Sequence, residues 1–269
     1  MNTIAFIGGG NMACAIIGGL LKGGRSPGDI FVLEPNAEQR SVLQRDLGII
    51  TLEAPGSVLQ RADLVVWAIK PQNFKAAAEA CVEQVGRALQ FSVMAGIRSD
   101  AIVRALGTER VVRAMPNTPA LIGQGIAGLY ARPAVSDDEK KAAEQVLAAT
   151  GQTLWVDREA DLDAVTALSG SGPAYVFYFI EAMVQAGEEM GLSAEQGKQL
   201  AMATFAGATA LAQASPDTPA VLRERVTSKG GTTFAALSSL EHSAVKASFV
   251  KALKAAQRRA GELGDEFGR

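Results

Sequence analysis

Two observations predict the fold class, an α/β first half followed by an all-α second half. Up to about residue 157, short apolar runs alternate with helical patterns, the rhythm of a mostly parallel sheet covered on both faces. Beyond Glu159 strand patterns vanish and alanine-rich helical periodicity takes over. The expected division is residues 1–159 and 160–269.

Taken in order, TIAFI (3–7) reads as a first strand, with a helix near Asn11–Lys22. IFVL (30–33) precedes a helix near Ala37–Leu47, and DLVVWAI (63–69) one near Gln72–Val85. FSVMAG (91–96), RVVRAM (110–115) and GIAGLYA (125–131) read as further strands. Ser136 is a good N-cap for the helix that follows, Gly151 a good stop, and QTLWVD (152–157) the last strand. In the second half GSGPAY (170–175) opens a helix to about Met190, with Pro173 in the first turn and Gly191 as its stop. SAEQ (193–196) is a capping box for a helix to about Gln213. A short helix over 219–227 and one long helix over Phe234–Leu263 complete the chain.

Composition narrows the function classes. The 269 residues are 48% apolar with a formal net charge of −2, so there is material for a core and no basic excess suited to nucleic acid or an anionic membrane. Only Cys14 and Cys81 occur, which argues against a disulfide framework and for a cytoplasmic chain. TIAFI is too short and uncharged for a signal peptide, and no stretch of about 20 apolar residues is present. The single histidine, His242, reads as a helix-surface or interface residue, which disfavours chemistry built on a histidine base.

GGGNMA (8–13) fits G-x-G-x-x-[GA] in the context that motif requires, after a strand and opening a helix. Gly8 permits the tight turn, Gly10 lets backbone approach a pyrophosphate, and Ala13 lets helix pack on strand. A Rossmann-type domain binding NADH or NADPH is therefore expected, with Asn11 and Met12 in the candidate set. Glu34 ends the second strand, where an acid bonds the ribose 2′-hydroxyl and favours NAD; Asn36 and Arg40 behind it offer a phosphate site if Glu34 turns away. WAIKPQ (67–72) also ends a strand and places Ala68, Lys70 and Pro71 near the cofactor. Asn117 and Thr118 of MPNTPA (115–120) bring polar groups toward the nicotinamide. Cys14 lies close enough to the glycine loop for its modification to block binding.

SKGGTT (228–233) raises a different question. A Walker loop needs lysine after its last glycine, and Lys229 comes before them. Paired glycines at a helix start suit a small anion, with a carboxylate the natural guess.

Five motifs in order, GGGNMA, WAIKPQ, RAMPNTPA, SGSGPAYVFYFIEAM and VTSKGGTTFAALSSLE, closely resemble those of the pyrroline-5-carboxylate reductases across essentially the whole chain. The resemblance implies a helical dimerisation domain that interlocks with a second subunit, in dimers or assemblies of dimers. It implies NAD(P)H-dependent reduction of the C=N bond of 1-pyrroline-5-carboxylate to L-proline, and no metal. It puts the substrate carboxylate on Ser228, Gly231 and Thr232 and a catalytic hydroxyl, Thr233, near the ring nitrogen. Lys229 departs from the family, many members having proline there.

Two competitors fit less well. A β-hydroxyacid dehydrogenase needs a base, typically a lysine on the helix after the G-S-G turn, and Pro173–Met190 holds none. A dinucleotide-binding regulator without turnover has no need of a carboxylate loop.

Overall fold

The computed structural model describes residues 3–268. They divide into two compact units. The larger contains the chain up to Ser171 and again from Ala256, and the smaller is Gly172–Ala255.

The larger unit begins β1 (Ile4–Ile7), α1 (Asn11–Lys22), β2 (Ile30–Leu33), α2 (Ala37–Leu47), β3 (Ile50–Leu52), β4 (Leu64–Trp67) and α3 (Phe74–Val85). It continues β5 (Leu89–Ser92), α4 (Ser99–Leu106), β6 (Val111–Met115), β7 (Gly125–Ala131), α5 (Asp137–Leu147), β8 (Gly151–Trp155) and α6 (Asp161–Val165). Among the described residues, eight strands form one sheet in the order β3-β2-β1-β4-β5-β6-β7-β8. Pairing is parallel except between β6 and β7, as the βαβα rhythm predicts.

Strand alternation sorts side chains onto two faces. Ile4 and Phe6 join Ile16 and Ile17 of α1 and Val146 of α5 in one core; Ala5 and Ile7 join Phe74 and Cys81 of α3 and Ile102 of α4 in the other. Trp67 is enclosed with its polar edge satisfied: its Nε1–H donates to Gln90 Oε1 at 2.8 Å, and Gln90 Nε2 donates to the carbonyls of Val85 and Ala88. Such pairing is what makes a buried amide tolerable. Ser136 caps α5 as expected, and Glu139 completes a capping box.

Two elements escape the sequence expectations. β3 is three residues with an exposed or half-exposed pattern, and α4 is eight residues fitted between β5 and β6. A further correction concerns the entry to the second half. The helix that GSGPAY opens starts at Gly172 as expected, but a short unexpected helix at Asp161–Val165 precedes it, and Thr166–Gly170 forms a π turn closed by Ser171 N–H on Thr166 O at 2.8 Å. At that turn Gly170 lies against Met115: a Cβ there would fall 2.6 Å from Met115 Cε.

The smaller unit contains α7 (Gly172–Glu189), α8 (Ala194–Ala214), α9 (Pro219–Arg225), α10 (Thr232–His242) and the first part of α11 (Val245–Phe267). Ser193 and Gln196 form the expected capping box. α7 and α8 approach closely because both carry glycine at the crossing, with a Cβ on Gly187 only 3.4 Å from Gly197 Cα. The single long helix expected over Phe234–Leu263 is broken: α10 ends at His242, and Ala244 takes φ 51° before α11 starts. Left-handed backbone at a residue with a Cβ ends one helix axis and permits another direction. His242 is exposed at that end, as expected.

α11 belongs to both units. Its final turns dock on the larger one, where Arg98 Nη2 donates to Gly261 O at 3.2 Å and to Asp265 at 3.0 Å. Gly264 leaves the space Arg98 fills, since a Cβ there would lie 2.7 Å from Arg98 Nε. Phe267 packs on the second core.

Candidate functional site

In the larger unit the turn after β1 has the geometry a dinucleotide needs. Gly8 has φ 97°, and its N–H donates to Leu33 O at 2.8 Å. A Cβ at Gly8 would lie 2.7 Å from Ala68 O, so the turn passes directly over the end of β4 and brings Ala68 beside it. Gly10 differs: nothing lies within 4 Å of its would-be Cβ, so that surface is open to a ligand. It is the N-cap of α1 and supplies no side-chain cap. The first-turn amides of Asn11 and Met12 thus have no side-chain acceptor from Gly10, and an anion suits them. Ala13, on the inner face of α1, is fully buried. These residues fit the pyrophosphate of a nicotinamide dinucleotide.

Gly9, which the motif leaves free, is as closely hemmed in as Gly8. Its Cβ would meet Leu43 Cδ1 at 2.5 Å, so no larger residue fits between loop and α2 without rearrangement. Sequence reasoning missed it because the motif has no rule for that position.

The end of β2 is organised by Glu34. Its Oε2 accepts Gly9 N–H at 3.0 Å and its Oε1 accepts Asn36 N–H at 2.9 Å. Asn36 commits its side-chain oxygen to capping α2 through Gln39 N–H. Cys14 Sγ lies 3.5 Å from Gly9 O, and burial pushes its thiol pKa up, against the effect of its backbone hydrogen bond. A thiol so placed is held protonated and slow to react.

Lys70 is exposed and precedes Pro71, the first residue of a short 3-10 turn. Asn117 is buried, its Oδ1 accepting Ile126 N–H at 3.0 Å. That bond leaves the side-chain amide N–H groups as what Asn117 offers a ligand. Thr118 is exposed.

The loop Ser228–Thr233 belongs to the smaller unit. Gly230 has φ 75°, and Gly231 N–H closes the turn on Ser228 O at 3.0 Å. A Cβ at Gly231 would lie 2.6 Å from Ser228 Oγ, so the turn and the hydroxyl share one space. Gly231 is the N-cap of α10 with no side-chain cap, so the helix start carries bare N–H groups. Thr233 is half-buried in the first turn, and Ser228, Lys229 and Thr232 are exposed.

Two family models match separate parts of the chain. Residues 159–263 match the family model for the pyrroline-5-carboxylate reductase dimerisation domain, and residues 3–96 that of the coenzyme F420-dependent NADP oxidoreductases. A pyrroline-5-carboxylate reductase of Pseudomonas aeruginosa is 45% identical over 267 residues, covering 98% of each chain. The chain belongs to the pyrroline-5-carboxylate reductases. A reductase of this family from Pasteurella multocida is 39% identical, again over 98% of both chains. Among solved structures, the Coxiella burnetii family member superposes with a TM-score of 0.90 at 37% identity, covering 97% of this chain and 98% of that one. The Plasmodium falciparum structure, with NADP bound, gives 0.87 at 27%, with coverage of 97% and 98%. The first half is thus a Rossmann-type NADP domain and the second a reductase-family dimerisation domain, and the protein is an oxidoreductase of proline biosynthesis. No helix among the described residues is long and apolar enough to cross a membrane.

Proposed function

We propose that the chain reduces 1-pyrroline-5-carboxylate to L-proline with NADPH or NADH as reductant, in the cytoplasm, as a homodimer or an assembly of dimers. The observation that carries this reading is the pair of uncapped helix starts, Gly10 and Gly231, on a chain that matches the reductases end to end. Residues 1–159 act as the dinucleotide-binding domain and residues 160–269 as the dimerisation and substrate-binding domain.

Gly8, Gly10, Asn11 and Met12 hold the pyrophosphate; Glu34 and Asn36 face the adenosine ribose; Ala68, Lys70, Pro71 and Asn117 line the approach to the nicotinamide. When bound, the reduced nicotinamide supplies a hydride. The protein's own task is position and the exclusion of water, because a protonated imine is already electron-poor at carbon. Ser228, Gly231 and Thr232 hold the substrate carboxylate at the start of α10; hydrogen bonds to a charged acceptor contribute about 1.5–3 kcal/mol each. Thr233 bonds the ring nitrogen and fixes which carbon is presented. A histidine base is not required, in keeping with His242 at the exposed end of α10. The lack of any lysine in α7 argues against alcohol oxidation.

The deciding experiment is the initial rate of dinucleotide oxidation with 1-pyrroline-5-carboxylate, with proline quantified as product. Turnover to proline is expected. Thr233→Ala should lower kcat at least tenfold, about 1.4 kcal/mol of transition-state stabilisation, while dinucleotide affinity stays unchanged. Gly231→Val should raise KM by displacing the Ser228 hydroxyl. Unchanged kinetics in both variants would remove the proposed role of the loop.

A further inference from the structure

The sequence places Arg40 where it could receive a 2′-phosphate, but the structure turns it away. Arg40 Nη1 donates to the carbonyls of Glu34 at 2.9 Å and Pro35 at 2.8 Å, and its Nη2 donates to Glu53 Oε2 at 3.1 Å. Three of the five guanidinium N–H groups are thereby committed. The Arg40 side chain is mostly buried under the loop, at 17% exposure, whereas Glu53 is 77% exposed. Glu53 follows β3 directly, and β3 is tied to this place by Glu34 N–H donating to Leu52 O at 2.9 Å.

The same loop holds the Glu34 carboxylate across Gly9 and Asn36, beside the glycine turn. A ribose hydroxyl can donate to that carboxylate, which has acceptor positions left after two amide bonds. A phosphate on that hydroxyl meets a negative charge instead, and the nearby arginine that would offset it is engaged beneath the loop.

We propose that the Arg40–Glu53 pair is a latch that sets cofactor preference. While closed, it fixes the Glu34–Asn36 loop, keeps Arg40 from a 2′-phosphate and makes the chain favour NADH over NADPH. Glu53 is a positioning residue: it touches no cofactor and acts through Arg40. The inference rests on the reading of Gly8–Met12 as the dinucleotide site.

The test is the dissociation constant of NADH and of NADPH, read from the fluorescence of the bound reduced nicotinamide with no substrate present. The wild-type protein should bind NADH about tenfold more tightly than NADPH. Glu34→Gln should weaken NADH, whose ribose hydroxyl loses a charged acceptor, and relieve the repulsion of NADPH, so that the NADH-to-NADPH affinity ratio falls at least tenfold. Adding Glu53→Gln should tighten NADPH by a further factor of about three and leave NADH where it was. Arg40→Ala in that double variant should erase the last gain. The latch is overturned if Glu53→Gln moves both dinucleotides together, since that would be a change of loop shape alone. It is equally overturned if the gain survives Arg40→Ala, or if the wild-type protein prefers NADPH. Failure of both dinucleotides to bind would instead defeat the underlying site assignment.

Discussion

In the larger unit the bulky apolar side chains lie inside: Trp67, Phe6, Phe31 and Phe91 are all enclosed. Within residues 172–255, Ala201 alone among the described hydrophobic residues is buried, while Phe177, Tyr178, Met190, Leu200 and Met202 stand exposed. Its aromatic contacts, Tyr175 and Phe179 edge-on to Phe249, tie α7 to α11 without making a closed core. An apolar groove of about 730 Å³, lined by Phe179, Leu237, Leu240, Val245, Phe249 and Val250, remains open. The contrast separates a region that satisfies itself from one whose surface suits a second chain, in keeping with its dimerisation-domain match.

Three substitutions put that contrast at risk. Phe177→Glu, on the exposed face of α7, should have the largest effect: monomers in sedimentation and at least a hundredfold loss of turnover. Dinucleotide affinity should change less than threefold, because the site proposed for it draws its residues from the larger unit. A dimer that survives this change would mean α7 is not its interface. Phe91→Ala should act the other way, costing about 3–5 kcal/mol of stability through a cavity in the sheet core. This loss should be independent of protein concentration, whereas melting of the smaller unit should rise with it.

The smallest effect concerns a cap. Burial pushes the Glu139 carboxyl up, but the Ser136 amide and hydroxyl and the Arg110 guanidinium outweigh it and hold the pKa below the usual carboxylate range. A depressed folded-state pKa gives stability that is present above the unfolded value and lost as pH falls through the folded one. Glu139→Ala should therefore cost about 1–2 kcal/mol near pH 7. The difference from wild type should shrink as the acid limb of a denaturation series is descended, and a pH-independent difference would assign the effect to packing.

The sequence was most readable where a local rule and the tertiary role agree. Gly8, Gly10 and Ala13 announce a turn whose backbone demands match the motif, and Ser136 and Ser193 cap as their spacing predicts. β3 was hidden because three residues are too few to show a period, and α4 because its short span reads as a strand connection. The break at Ala244 carries no Gly or Pro, and TALSG has nothing in its composition to distinguish a π turn from an α turn. At the candidate site, residue types were legible but their partners were not. That Glu34 spends its oxygens on Gly9 and Asn36, and Arg40 its donors on carbonyls, depends on how the 34–40 stretch folds back on itself and meets the glycine turn.

The docking of α11 through Arg98, Gly261 and Gly264 has a consequence during synthesis. The nucleotide-binding unit is encoded first and completed late. Its sheet leaves the ribosome early, yet the face that receives Phe267 waits until all of residues 172–255 have been translated. For that interval the nascent chain carries an unfinished apolar wall, so the order of translation runs opposite to the order of completion.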